Sequence, residues 1–132
     1  MPTEPSRRRT ATTVLVWFGR ALLALTFLGA GASKLVGEPV MVTMFADIGA
    51  GQWLRYAVGA LEVAGAVGVL VPRLSTLAAT GLALLMIGAT ATNLTVLEAA
   101  PWSPLVLLVL AALVAWAGRG RLLRPRTAVR TA

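Results

Sequence analysis

The sequence contains neither cysteine nor histidine in its 132 residues. Without cysteine it can form no internal disulfide, thiolate nucleophile or cysteine-ligated iron–sulfur cluster. Without histidine it lacks an imidazole base and the usual protein ligand of haem and zinc. No catalytic residue, metal site or cofactor is therefore evident from the residues, and the sequence leaves open whether the chain is an enzyme.

Charge is scarce as well. Charged residues make up 13% of the chain, about half the share found in soluble domains. Hydrophobic residues make up 58%, and the mean hydropathy is +0.81. The length suits one domain, and the composition predicts that the lipid bilayer surrounds it.

Four apolar runs, over residues 13–35, 53–71, 74–97 and 100–118, are each long enough for a helix to cross the ~30 Å hydrocarbon core. The runs are continuous rather than alternating, which excludes membrane strands. The short turn around Pro72 makes the second and third spans antiparallel neighbours. The predicted fold is an all-α membrane protein, an antiparallel bundle of four transmembrane helices.

A shorter apolar pattern lies between the first and second spans. Its large apolar residues recur at helical spacing: Val40, Met41, Met44, Phe45 and Ile48. The spacing predicts a short interfacial helix that ends at Gly49-Ala50-Gly51, and a plain loop is the alternative.

The basic residues lie mostly at one predicted end of the bundle. Ten are assigned to that end: Arg7, Arg8, Arg9, Arg20, Arg73, Arg119, Arg121, Arg124, Arg126 and Arg130. Only Lys34 and Arg55 are assigned to the other. By the positive-inside rule, the basic segments 1–12 and 119–132 are cytoplasmic, in a multi-pass protein of a bacterial-type inner membrane. The tail is interpreted as a topology anchor, with an acidic-lipid or RNA patch as the alternative. No nucleic-acid partner is predicted, because no aromatic residues are interleaved with its arginines.

The first span also has features of a secretory signal peptide, with Ala30-Gly31-Ala32 as a cleavage site. Arg20 lies inside its apolar run, which is also long for a signal peptide. We therefore expect the first span to be retained.

Arg20 and Glu62 are the charges placed inside the membrane. With the first span entering near Thr13 and the second leaving near Val71, their depths differ by less than one helical turn. We therefore expect an Arg20–Glu62 ion pair, because ionised groups in hydrocarbon need partners. Two roles stay open: a structural pair that fixes helix register, or a pair that lines a ligand pocket or proton path.

Three further polar residues are predicted at the outer rim of the bundle. Lys34 lies near the outer boundary, where it can reach water or one of the acids Glu38, Asp47 and Glu98. Asn93 lies toward the outer half of the third span. Lys34, Asn93 and Glu98 are thus candidate polar site residues.

Several motifs resemble the DoxX-like membrane proteins over about residues 19–93. The first span carries an early arginine and then Phe-Leu-x-Ala-Gly-x-Ser-Lys-Leu from Phe27. The second carries Gly-x-x-Glu-x-x-Gly-x-x-Gly-x-Leu from Gly59, followed by Pro-Arg-Leu and an alanine-rich third span. The resemblance implies a four-helix bundle in the bacterial inner membrane, with Arg20, Lys34 and Glu62 at the family's polar positions.

The family is named after a subunit of an archaeal thiosulfate:quinone oxidoreductase, and relatives are linked to membrane-associated thiol and oxidative-stress systems. The resemblance therefore implies an accessory subunit of a quinone-linked redox system, with a redox protein as partner and a quinone as candidate cofactor. The missing cysteine argues against direct thiol chemistry. The alternatives are a carrier for a small solute or lipid, for which four spans would require a homo-oligomer, and a membrane assembly or scaffold factor.

Overall fold

The computed structural model describes residues 5–123, with side chains from residue 7 to residue 120. Within that part of the chain there are five helices and no strand: α1 (Pro5–Val36), α2 (Pro39–Ile48), α3 (Gln52–Leu70), α4 (Ser75–Thr95) and α5 (Trp102–Leu123). Four of them, α1, α3, α4 and α5, are long and apolar enough to cross a membrane. The predicted all-α membrane bundle is confirmed.

The outermost helices are longer than their predicted spans. α1 begins at Pro5, so the helix continues through the arginine-rich segment that precedes residue 13. α5 continues to Leu123, beyond the predicted span end at residue 118. Residues 124–132 of the basic tail lie outside the described residues.

The segment between the first two spans is helical, as the spacing of its apolar residues predicted. Pro39 lies in the first turn of α2, where its missing N–H costs little. Gly49 ends the helix with φ +81°, and its N–H bonds back to the carbonyl oxygens of Phe45 and Ala46. Phe45 is buried, which fixes this short helix against the bundle.

α1 packs chiefly on α3, and α4 packs chiefly on α5. α3 also contacts α4, and α1 contacts α5, so the four spans close into a bundle. The buried core consists of Leu23, Ala24 and Phe27 from α1, Ala66 and Val69 from α3, Ala79, Leu82 and Met86 from α4, and Ala111 and Val114 from α5. Large apolar side chains on the outside, such as Leu25, Leu84 and Val106, are more than half exposed in the isolated chain, as a lipid-facing surface requires.

A candidate polar site between α1 and α3

A buried ion pair joins α1 to α3. Nζ of Lys34 donates a hydrogen bond to Oε1 of Glu62 at 3.2 Å and lies 2.9 Å from Oε2. The two side chains are only 12% and 3% exposed. The ammonium also donates to the Ala30 carbonyl oxygen at 3.4 Å. Each charge thereby gains the partner that an ionised group needs inside a membrane protein.

Two glycines allow α1 and α3 to approach closely at the level of this pair. A methyl group at Gly31 would lie 2.8 Å from the Gly59 carbonyl oxygen and 3.1 Å from Cβ of Glu62. A methyl group at Gly59 would lie 3.0 Å from both the Gly31 carbonyl oxygen and Cβ of Lys34. Glycine at both positions therefore brings Lys34 and Glu62 within reach of each other.

Arg55 adds a second buried cation beside the pair. It is 5% exposed, and one Nη donates to the Lys34 carbonyl oxygen at the end of α1. Its Nε donates to Oε1 of Gln52 at 2.7 Å, and Nε2 of Gln52 donates to the Val42 carbonyl oxygen at 3.0 Å. The half-exposed Tyr56 ring lies 4.3 Å from the guanidinium carbon. Arg55 thus links the ends of α1, α2 and α3.

The burial of Arg55 could have been predicted from the sequence, although Arg55 lies near the edge of a predicted span. Arg55, Gly59, Glu62, Ala66 and Val69 are spaced alternately four and three residues apart, and all five are buried in the structure. This spacing places them on one face of α3. Because Arg55 lies on the same face of α3 as the embedded Glu62, the spacing predicts that Arg55 also faces the neighbouring helices.

The predicted ion pair between Arg20 and Glu62 is wrong, because the cation that pairs with Glu62 is Lys34. Arg20 is 4% exposed, with its guanidinium carbon 5.0 Å from the centroid of the Trp17 ring. The depth estimate started the first span near Thr13, whereas the packing places Glu62 beside Gly31. Arg20 is eleven residues before that glycine, which is about 16 Å along α1 toward the arginine-rich end.

Lys34 takes the place that the prediction gave to Arg20. It was expected to reach water or one of the acids Glu38, Asp47 and Glu98. Instead it contacts Glu62, because side chains on a helix lean toward its N-terminus, and that direction leads from Lys34 into the bundle.

Asn93 and Glu98 belong to the connection between α4 and α5. Nδ2 of Asn93 donates to the Ala100 carbonyl oxygen at 3.1 Å, and the backbone N–H of Ala99 donates to the Asn93 carbonyl oxygen at 2.8 Å. Glu98 is exposed and adopts φ +48°. These contacts shape the connection, and neither residue contacts the Lys34–Glu62 pair.

The cluster of Lys34, Arg55 and Glu62, here called the polar layer, holds two cations and one carboxylate. Its residual positive charge lies at the C-terminal end of α1, whose carbonyl groups offset part of it. Glu62 supplies the one carboxyl group of the layer, and that group can bind or release a proton. Among the described residues, no group of three or more histidine, cysteine, aspartate or glutamate side chains could hold a metal ion. Because two of its three charged side chains are cations with N–H donors, the layer is suited to groups with hydrogen-bond acceptors.

Comparison with known proteins gives a match at the level of a family. The model of a family described as the DoxX-like family matches residues 19–127. The match begins just before Arg20, includes the whole polar layer and continues through α5, beyond the motifs that carried the resemblance. No curated protein and no solved structure matches the chain.

Proposed function

The chain belongs to the DoxX-like family, and from that premise we propose that it is an accessory subunit of a quinone-linked redox system in a bacterial-type inner membrane. The polar layer carries this proposal. A bundle of apolar helices holds together without buried charges, and charged residues within membrane spans commonly mark functional sites. Here three such residues meet at the contact between α1, α2 and α3.

The donors of the polar layer fit a quinone headgroup, whose two carbonyl oxygens accept hydrogen bonds. Arg55 uses Nε and one Nη within the described part of the chain, which leaves its other Nη for a further acceptor. The Lys34 ammonium directs its protons to Glu62 and to the Ala30 carbonyl oxygen, so it would add positive charge to the site, and Arg55 would donate the hydrogen bond. A bound quinone would supply the electron-accepting chemistry, while these residues would bind and orient its headgroup.

The electrons would come from a partner protein, because this chain has no cysteine or histidine for a dithiol, an iron–sulfur cluster or a His-ligated haem. The exposed apolar faces of the spans offer that partner a surface within the membrane. We also infer that the arginine-rich end of the bundle faces the cytoplasm, because the charge pattern of the sequence assigns ten arginines to that side of the membrane.

The test combines purification with turnover. Deletion of the chain should lower quinone-dependent electron transfer in isolated membranes, and mild-detergent purification of the intact chain should recover an oxidoreductase or bound quinone. Unchanged turnover together with recovery of neither would contradict the proposal. Solute flux through liposomes that contain only this chain would instead favour the carrier alternative.

A matched pair of arginine variants tests the polar layer itself. Arg55→Gln should lower quinone-dependent turnover at least about fivefold, as expected for loss of a charge-assisted hydrogen bond worth ~1 kcal/mol or more. Arg73→Gln removes an exposed arginine in the turn between α3 and α4 and should leave turnover unchanged. Amounts of each variant in the membrane are measured alongside. Equal turnover in the two variants would exclude Arg55 from the quinone site.

A further inference from the structure

The same four-residue pattern, Trp-x-Gly-Arg, occurs in α1 at residues 17–20 and in α5 at residues 116–119. The two helices pack here, since a methyl group at Gly19 would lie 3.6 Å from Cγ2 of Val114. α1 and α5 run in opposite directions, so a register that pairs residue 19 with residue 114 also places residue 17 level with residue 116. The two motifs therefore meet at one level of the bundle.

A groove of about 350 Å³ lies between the motifs. It is lined by Thr12, Thr13, Val16, Trp17 and Arg20 from α1 and by Ala117, Gly118 and Gly120 from α5. A methyl group at Gly120 would have nothing within 4 Å, so the groove is open on that side. Arg20, which is 96% buried, contributes a cation to its lining.

The surroundings of the groove are strongly positive. Exposed arginines at this end of the described chain are Arg7, Arg8, Arg9, Arg73 and Arg119. In the sequence, Glu4 is the one acidic residue among the segments that carry these arginines, and a single carboxylate neutralises one arginine at most. The excess of positive charge therefore holds whatever Arg20 itself contacts.

Two tryptophans on the outside of the bundle, Trp17 and Trp116, flank the groove. Tryptophan is enriched where membrane spans meet the headgroups, which supports a groove at that depth. A guanidinium lies over each ring: Cζ of Arg20 is 5.0 Å from the centroid of the Trp17 ring, and Cζ of Arg119 is 3.7 Å from that of the Trp116 ring.

We propose that this groove binds the headgroup of an anionic glycerol-type phospholipid, independently of any quinone at the polar layer. Arg20 would face the phosphate. Oγ1 of Thr12 donates to the Arg8 carbonyl oxygen and Oγ1 of Thr13 to that of Arg9, both at 2.9 Å. With their protons used in this way, the threonine oxygens act as acceptors, which suits the free hydroxyl groups of a glycerol headgroup. Basic pockets between membrane helices bind such lipids elsewhere.

The experiment compares two leucine substitutions of exposed helix glycines in the intact chain. Gly120→Leu fills the open side of the groove, whereas Gly88→Leu lies on α4, where a side chain also meets nothing within 4 Å. Protein from mixed phosphatidylglycerol and phosphatidylcholine membranes is extracted in mild detergent, and retained lipid is counted by native mass spectrometry. We expect Gly120→Leu to retain at least about fivefold less phosphatidylglycerol than the unmodified chain, a difference that corresponds to ~1 kcal/mol. Gly88→Leu should retain it.

Equal retention by the two leucine variants, or phosphatidylcholine retained as well as phosphatidylglycerol, would overturn the proposal. Displacement of the bound lipid by millimolar inorganic phosphate would show a simple anion site and would also overturn it. Circular dichroism melting confirms that each variant is folded. Arg20→Gln should repeat the loss, and Gly120→Leu decides the question if that buried substitution prevents folding.

Discussion

At the scale of single residues, Lys34 joins two parts of the polar layer. Its ammonium contacts the Glu62 carboxylate, and its carbonyl oxygen accepts a hydrogen bond from Arg55. Replacement of the side chain removes only the first of these contacts. In the Lys34 variant, the buried Glu62 carboxylate loses its ion-pair partner, and such a loss is strongly destabilising.

Lys34→Leu and Glu62→Leu should each lower the free energy of unfolding by about 3–5 kcal/mol. The double variant should lose much less, because both charges leave the bundle together. Unfolding in a denaturing detergent, followed by circular dichroism, measures the three values. Arg20→Leu should gain no rescue from Glu62→Leu, since Arg20 is not the cation of the pair.

Exposed Glu98→Leu serves as the control and should change the free energy of unfolding by less than about 0.5 kcal/mol. Additive losses in the Lys34 and Glu62 variants would show that the two charges do not stabilise each other.

The sequence allowed the buried position of Glu62 to be predicted, because a lone acid within an apolar run must face protein. The sequence did not show which cation pairs with Glu62. The pairing depends on the position of α1 along α3, and both candidate cations, Arg20 and Lys34, lie on the same face of α1, fourteen residues apart. The spacing of residues along a helix shows which face points inward, but it does not show the axial register of that helix against its neighbour.

At the scale of elements, the contact between α1 and α3 depends on backbone proximity. The carbonyl oxygen of Gly59 lies so near Gly31 that a Cβ there would overlap it. Gly29, on the same helix, faces open space. Gly31 therefore lies at the contact between the two helices, whereas Gly29 lies outside it.

Gly31→Ala should lower the free energy of unfolding by about 1–3 kcal/mol, because the added methyl group pushes α1 away from α3. Gly29→Ala should change it by less than about 0.5 kcal/mol. Detergent unfolding of both variants checks this difference. If the two alanine variants unfold alike, the close approach of α1 and α3 does not contribute to stability.

The helices themselves were predictable, because each apolar run is long enough to span the membrane and proline or glycine marks most boundaries. Their lengths were less so. α1 begins at Pro5 because the arginines that follow favour helix once the chain leaves the hydrocarbon core, and hydropathy alone does not report that extension.

At the scale of the whole molecule, the two ends of the bundle differ in charge and in shape. α1 has 32 residues, or about 48 Å of helix, against ~30 Å of hydrocarbon. The arginine-rich segment with which α1 begins accounts for part of this surplus. The opposite end holds the polar layer, α2 and the short connection between α4 and α5.

The proposed orientation can be tested cleanly, because the chain has no native cysteine. Ala11→Cys lies at the arginine-rich end and Ala99→Cys in the connection between α4 and α5, and both positions are exposed. A membrane-impermeant maleimide should label the Ala99→Cys variant in cells whose outer layers admit the reagent, and the Ala11→Cys variant only after the inner membrane is opened. The reverse pattern would show the opposite orientation.

The ion pair between α1 and α3 also has a consequence for the order of events during synthesis. Glu62 follows Lys34 by 28 residues, an interval of a few seconds at about 5–20 residues per second. During that interval the lysine lacks its carboxylate, but it lies near the end of α1, where the membrane surface can hydrate it. Glu62 is therefore synthesised after its cation is already part of the first span, and the ion pair can form as soon as α3 packs against α1.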